Sequence, residues 1–100
     1  MVKLTEEELM AALASLPEWE ITHTNGHNGL QKRFRTGDFM TGVRLINRIA
    51  EAAECLNHHP DVSLTYSSVL IRLTTHTIGD LTSKDIELAR QIEQLYPRVA

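Results

Sequence analysis

Apolar and polar residues alternate along this chain with two different periods. Over residues 5–16, Leu9, Leu13 and Leu16 recur at helical spacing with Ala12 beside them, which predicts an amphipathic helix. Thr5 precedes the stripe and Glu8 follows it by three, the spacing of a capping box. Glu6, Glu7 and Glu8 fall in the first turn, where the helix dipole favours negative charge, and Pro17 stops the helix. Residues 19–24 then switch to a period of two, with Trp19 and Ile21 set against Glu20 and Thr22, as in a half-buried strand. Asn25-Gly26 signals a hairpin, because both central residues of its tight turn need positive φ. A second strand is predicted over 30–35, with Leu30 and Phe34 on one face. A second Asn-Gly pair at 28–29 leaves the loop length open.

Asp38 is placed to cap a long helix over 39–57. Its apolar positions are Phe39, Val43, Ile46, Ile49, Ala50 and Ala53, with Leu45 and Leu56 as a second apolar edge. Strands follow over 62–66 and 69–76. A last helix over 82–96 has Thr82 as its cap and Asp85 at the capping-box position, and Ile86, Ala89, Ile92, Leu95 and Tyr96 form its stripe. The order α-β-β-α-β-β-α predicts an α+β fold, a four-stranded antiparallel sheet with helices packed on one face. The whole chain, 1–100, reads as a single domain.

Composition narrows the function classes. A chain of 100 residues supports one small core. No apolar run approaches the roughly 20 residues of a membrane span, and the acidic N-terminal stretch is unlike a signal peptide. The net charge of −3, without a basic cluster, argues against nucleic acid as a partner. A lone cysteine, Cys55, rules out an intrachain disulfide and suits a reducing cytoplasm; in the helix it reads as a small buried residue rather than a nucleophile.

The chemistry gathers at Glu54-Cys55-Leu56-Asn57-His58-His59-Pro60-Asp61. If Ser67-Ser68 is a two-residue turn, Tyr66 faces Val69, Leu64 faces Ile71 and Val62 faces Leu73, all apolar and all on one face. The other face then carries Thr65 with Leu70, Ser63 with Arg72 and Asp61 with Thr74. One further step sets His59 opposite His76. A histidine at a strand end is ordinarily a solvated polar residue. Three of them, His58, His59 and His76, converging at one end of a hairpin on the open face of the sheet point to a site. His23 and His27 read as surface residues of the first hairpin.

Three histidines can bind zinc, but adjacent side chains in an extended chain point apart, so His58 and His59 are a poor chelating pair. Acid–base catalysis is the better match, because imidazole gives and takes protons near neutral pH. Glu54, four residues before His58, is placed to hydrogen-bond its ring.

Glu54, His58-His59-Pro60, Tyr66, His76 and Asp85 together resemble the signature of the pterin-4a-carbinolamine dehydratases (4a-hydroxytetrahydrobiopterin dehydratases), and the predicted element order agrees over the rest of the chain. The resemblance implies a hydro-lyase that dehydrates 4a-hydroxytetrahydropterin to quinonoid dihydropterin in pterin recycling. It implies no metal and no cofactor, since the pterin is the substrate, and a homodimer or homotetramer. On this chain His58 and His76 would transfer protons and His59 would chiefly bind the pterin. Asn57, Thr74, Thr75 and Thr77 would make polar contacts to the ring. Glu54, Pro60 and Asp85 would support the site, with Pro60, Tyr66 and Asp85 read as architectural. Many members carry an aromatic residue soon after the proline, where this chain has Val62. The alternatives are a non-catalytic dimerisation or assembly module on the same scaffold, a pterin-related role supporting molybdopterin enzymes, and a three-histidine metal site.

Overall fold

The computed structural model describes residues 2–99. Helix α1 spans Glu6–Ala14 and carries the predicted capping box. Thr5 Oγ1 accepts the Glu8 N–H at 3.1 Å, and the Glu8 carboxylate accepts the Thr5 N–H at 2.8 Å. Strands β1 (Glu20–Thr24) and β2 (His27–Arg35) are joined by Asn25 (φ 52°) and Gly26 (φ 78°). The shorter hairpin loop is therefore the real one, and β2 begins at His27 rather than at residue 30. Asn28 and Gly29 belong to the strand. A Cβ at Gly29 would lie 2.9 Å from both Arg72 Nη2 and Thr22 Oγ1, so a larger residue there would push these side chains aside.

Helix α2 spans Phe39–Leu56, with Asp38 Oδ1 accepting the Thr41 N–H at 2.7 Å. After it come β3 (Asp61–Leu64), β4 (Ser68–Leu73) and helix α3 (Ser83–Val99). The sheet is wholly antiparallel in the order β1-β2-β4-β3, which confirms the predicted α+β class and element order. Along the β2–β4 ladder, Leu30 pairs with Leu73, Lys32 with Ile71 and Phe34 with Val69. The apolar members, Leu30, Phe34, Val69, Ile71 and Leu73, face the helices and pack with Ala12, Leu16, Leu45, Ile49, Ala53, Leu88, Ala89 and Ile92 in one core.

Several details differ from the sequence expectation. The β3–β4 register is displaced by two residues: Leu64 pairs with Val69, Val62 with Ile71, Ser63 with Leu70 and Asp61 with Arg72. The loop is Thr65-Tyr66-Ser67, closed by the Thr65 N–H on Ser68 O at 2.9 Å. A shift of two keeps each side chain on its predicted face, because strand side chains alternate with period two. It does remove Tyr66 from the strand. Tyr66 is 72% exposed and does not face inward. The sheet register also ends sooner, so Thr74, Thr75 and His76 follow β4 rather than belong to it.

On α2 the buried side runs through Thr41, Gly42, Leu45, Ile49 and Ala53. Phe39 (47% exposed) and Ala50 lie outside it. The face is set by Gly42, whose added Cβ would stand 2.6 Å from Leu64 Cδ1, so the helix makes its close approach to the sheet there. Cys55 is exposed rather than buried, because it lies off this face. Among the described residues no helix is long and apolar enough to cross a membrane.

Candidate acid–base site

The end of α2 aims the two adjacent histidines apart. Asn57 adopts the left-handed conformation (φ 50°, ψ 46°), and the His58 N–H returns to Ala53 O at 3.0 Å. This closing turn satisfies carbonyls left over by the helix and reverses the chain. His58 is thereby carried inward against α3, and His59 is left exposed at the surface. The expectation that all three histidines lie on the open face of the sheet holds only in part, since His58 is buried.

His58 Nε2 lies 2.6 Å from Asp85 Oδ1, and Asp85 is completely buried. The other carboxylate oxygen, Oδ2, accepts the Thr75 hydroxyl at 2.7 Å and the Thr82 N–H at 2.9 Å. Thr75 Oγ1 in turn sits 2.8 Å from Thr82 Oγ1. With its hydroxyl proton given to Asp85, Thr75 accepts from Thr82. An ionised Asp85 accepts from all three partners. With that carboxylate, a neutral His58 donates from Nε2 and keeps Nδ1 as its basic nitrogen. Asp85 is therefore more than the cap of α3 that its position suggested; it orients His58 from 27 residues away.

Glu54 does not reach His58. Its Oε2 lies 2.5 Å from His59 Nε2, because the reversal at Asn57 moves His58 away from the helix surface and brings His59 back over it. Both partners of this pair are exposed. Such a surface contact is screened by solvent and orients the ring only loosely.

His76 stands at the tip of a tight turn. Thr75 N–H bonds Asp80 O at 3.1 Å, and the N–H groups of Ile78 and Gly79 return to Thr75 O at 3.0 and 2.8 Å. Thr74 Oγ1 donates to Asn28 O at 2.6 Å, which ties this segment to β2. The His76 side chain is exposed, and among the described residues its ring makes no hydrogen bond within the protein.

The three histidines meet. A cavity of about 410 Å³ is lined by Asn57, His58, His59, Thr74, Thr75, His76, Thr77 and Lys84. Its size is that of a small-molecule site. Lys84 had no sequence signal beyond its place next to Asp85. Its ammonium group binds Leu56 O at 3.1 Å, bridging the end of α2 to the start of α3 at the cavity wall. Val62, Pro60, Glu54 and His59 line an apolar groove next to it. A larger groove of about 610 Å³ between α1 and α3 contains no histidine. Among the described residues, no three His, Cys, Asp or Glu side chains are grouped to hold a metal ion.

One residue that the sequence reading set aside belongs beside the site. His27 is half-buried, and its ring centroid is 5.9 Å from that of His76. The signal was the Asn25-Gly26 turn, whose short form extends β2 back to His27.

Residues 2–95 match the family model described as pterin 4 alpha carbinolamine dehydratase. A Gloeobacter violaceus protein carrying the name pterin-4-alpha-carbinolamine dehydratase 2 is 38% identical over 89% of this chain and 97% of its own. A Picosynechococcus protein carrying the pterin-4-alpha-carbinolamine dehydratase name is 39% identical over 93% of this chain and 97% of its own. The crystal structure of a transcriptional coactivator/pterin dehydratase from Brucella melitensis superposes with a TM-score of 0.85 at 32% identity, covering 95% of this chain and 99% of the other. A pterin dehydratase-like RuBisCO assembly factor of the alpha-carboxysome shares the fold, with a TM-score of 0.67 at 21% identity over 79% of this chain and 89% of its own. With the family model matching nearly the full length of the chain and relatives this similar, the chain belongs to the pterin 4 alpha carbinolamine dehydratase family.

Proposed function

We propose that the protein dehydrates a 4a-hydroxytetrahydropterin to the quinonoid dihydropterin and water. The observation that carries this reading is the buried His58–Asp85 pair opening onto the same cavity as His59 and His76. The reaction breaks the C4a–O bond and removes the proton from N5. The electron pair of the N5–H bond forms the C4a–N5 double bond, and the departing hydroxide leaves as water once protonated. A base and an acid on one small cavity supply both proton transfers.

His58 takes the N5 proton on Nδ1, and Asp85 stabilises the imidazolium that results. His76, free of protein partners among the described residues, delivers a proton to the leaving hydroxyl. His59, held by Glu54, contributes chiefly to binding the ring. Asn57, Thr74, Thr75 and Thr77 provide polar contacts for the pterin edge, and Pro60 shapes the loop that carries His59. No cofactor takes part in this scheme, and the pterin is the substrate. The exposed Phe39 and the half-buried Val43 and Ile46 on α2 support self-association into a homo-oligomer.

The assembly-module reading shares the fold, but no part of it requires a buried His–Asp pair facing a cavity. The deciding experiment follows the decay of freshly generated 4a-hydroxytetrahydropterin with and without the protein. Catalysed decay is expected, and decay at the uncatalysed rate overturns the proposal.

A further inference from the structure

Asn28 opens the second Asn-Gly pair of the sequence, yet it lies in β2 rather than in a turn. All four of its polar groups are engaged. Its N–H bonds Gly79 O at 3.4 Å, and its carbonyl accepts the Thr74 hydroxyl at 2.6 Å. Its side-chain Nδ2 donates to Asp80 Oδ1 at 3.2 Å. Its Oδ1 lies 2.5 Å from Nδ1 of His23, its ladder partner on β1. An ionised Asp80 can only accept, which orients the Asn28 amide and makes His23 the donor at Nδ1. Asp80 Oδ1 also accepts the Leu81 N–H at 2.7 Å.

Three of these partners, Thr74, Gly79 and Asp80, flank the tip that carries His76. The turn's own bonds, from Thr75 N–H to Asp80 O and from the Ile78 and Gly79 N–H groups to Thr75 O, fix its shape. They do not fix its place beside the sheet. The His76 ring cannot do so, since among the described residues it makes no hydrogen bond within the protein. Attachments on two sides place it. On one, the Thr75 hydroxyl binds Asp85, the carboxylate that also holds His58. On the other, Asn28 grips both stems, Thr74 before the tip and Gly79 and Asp80 after it. The residue before Asn28 is His27, whose ring stands beside that of His76.

We propose that Asn28 is a positioning residue for His76. With Asp80 it holds the turn so that this imidazole stays on the wall of the cavity it shares with His58. The role rests on the dehydratase reading, in which the proton donor must stand at a fixed distance from the leaving hydroxyl. Asn28 is not itself among the residues lining that cavity and acts through the backbone that carries His76.

Asn28→Leu keeps the size of the side chain and both main-chain bonds while removing the two side-chain ones. Its kcat is expected to fall by up to about 100-fold, the scale of a misplacement of about 1 Å, with KM little changed. In NMR spectra the His76 ring resonances should shift and broaden, while those of His58 keep their wild-type positions. Asp80→Ala breaks the same bond from its other end and should reproduce both effects, so a failure of one variant to fold leaves the other to decide. Asp80→Asn keeps an acceptor for Asn28 and Leu81 and should retain the wild-type kcat. Unchanged kcat or unchanged His76 resonances in a folded variant, or an Asp80→Asn protein as impaired as Asp80→Ala, overturn the positioning role and leave the dehydratase reading intact. A wild-type protein without turnover overturns the dehydratase reading and the positioning role with it.

Discussion

The Nε2 of His58 and the Oδ1 of Asp85 meet at 2.6 Å in the interior, joining the end of α2 to the first turn of α3. Asp85 receives three donors in all, and none comes from water-exposed side chains. Removing its charge strips His58 of its orienting partner and leaves two further donors weakly held. Asp85→Asn is expected to lower turnover by about 10²- to 10⁴-fold, the range of a disabled acid–base group. Asp85→Ala is expected to lose about 3–5 kcal/mol of stability, as for a broken buried pair. In a double-mutant cycle, His58→Ala and Asp85→Asn should be strongly non-additive, because they act as a unit. Steady-state kinetics on the four proteins of the cycle measure the coupling, and urea unfolding of Asp85→Ala against the wild type measures the stability loss.

His76 presents the opposite case. It is exposed, with no hydrogen bond to its ring among the described residues. His76→Ala should therefore change stability by no more than about 0.5 kcal/mol, as for an ordinary surface substitution. Turnover should nonetheless fall by about 10²-fold or more if His76 supplies the proton to the leaving hydroxyl. A large loss of stability would show that the turn at Thr75–Gly79 depends on this side chain.

Glu54→Gln separates binding from chemistry. The Glu54–His59 contact is exposed on both sides, so its loss should leave the melting temperature unchanged. If His59 chiefly binds the ring, KM should rise several-fold with little change in kcat. A fall in kcat at constant KM would instead assign His59 to proton transfer.

Acid stability should reflect the cap of α2. The Thr41 backbone N–H holds the Asp38 carboxyl below its ordinary value of 3.8. The unfolded chain therefore takes up this proton at a higher pH than the folded one. The contribution is present above pH 3.8 and is lost as the pH falls through the lower folded value. Asp38→Asn should flatten that part of the stability curve. At the alkaline end the sign reverses for Lys32. Burial lowers its pKa, but the hydrogen bonds and charges of Glu93 and Glu18 outweigh it and hold the ammonium above 10.5. Its contribution is present below that value and disappears as the pH rises through the folded one. Lys32→Met should remove this alkaline loss. Urea titrations at stepped pH test both.

Much of the fold was legible because local rules and burial agree. The capping box at Thr5 and Glu8, the Asn25-Gly26 turn and the alternation of Val69, Ile71 and Leu73 are local signals, and each element formed near its predicted position. His58, His59 and His76 share a cavity, but not through the expected pairing: the observed register, continued past Asp61–Arg72, sets His59 across from Thr74 rather than His76, and His76 arrives on the turn after β4. A slip of two leaves side chains on the same faces and moves them along the strand by only two positions.

What the residue pattern could not decide were relations across the core. Ser67-Ser68 has no strong turn preference, so packing set the loop and expelled Tyr66. Periodicity gave α2 a main apolar stripe with Leu45 and Leu56 as a second edge, and packing of the helix against the sheet at Gly42 turned the buried side toward Leu45, Ile49 and Ala53. The partner of His58 depended on how Asn57 reversed the chain, which gave Glu54 to His59 and Asp85 to His58. The sequence by itself determined which elements form, which face of the sheet is apolar and that three imidazoles lie near one end of the sheet. Only the tertiary structure decided which carboxylate each imidazole meets and that His27 stands beside His76, because those contacts depend on strand register and helix placement rather than on the preferences of neighbouring residues.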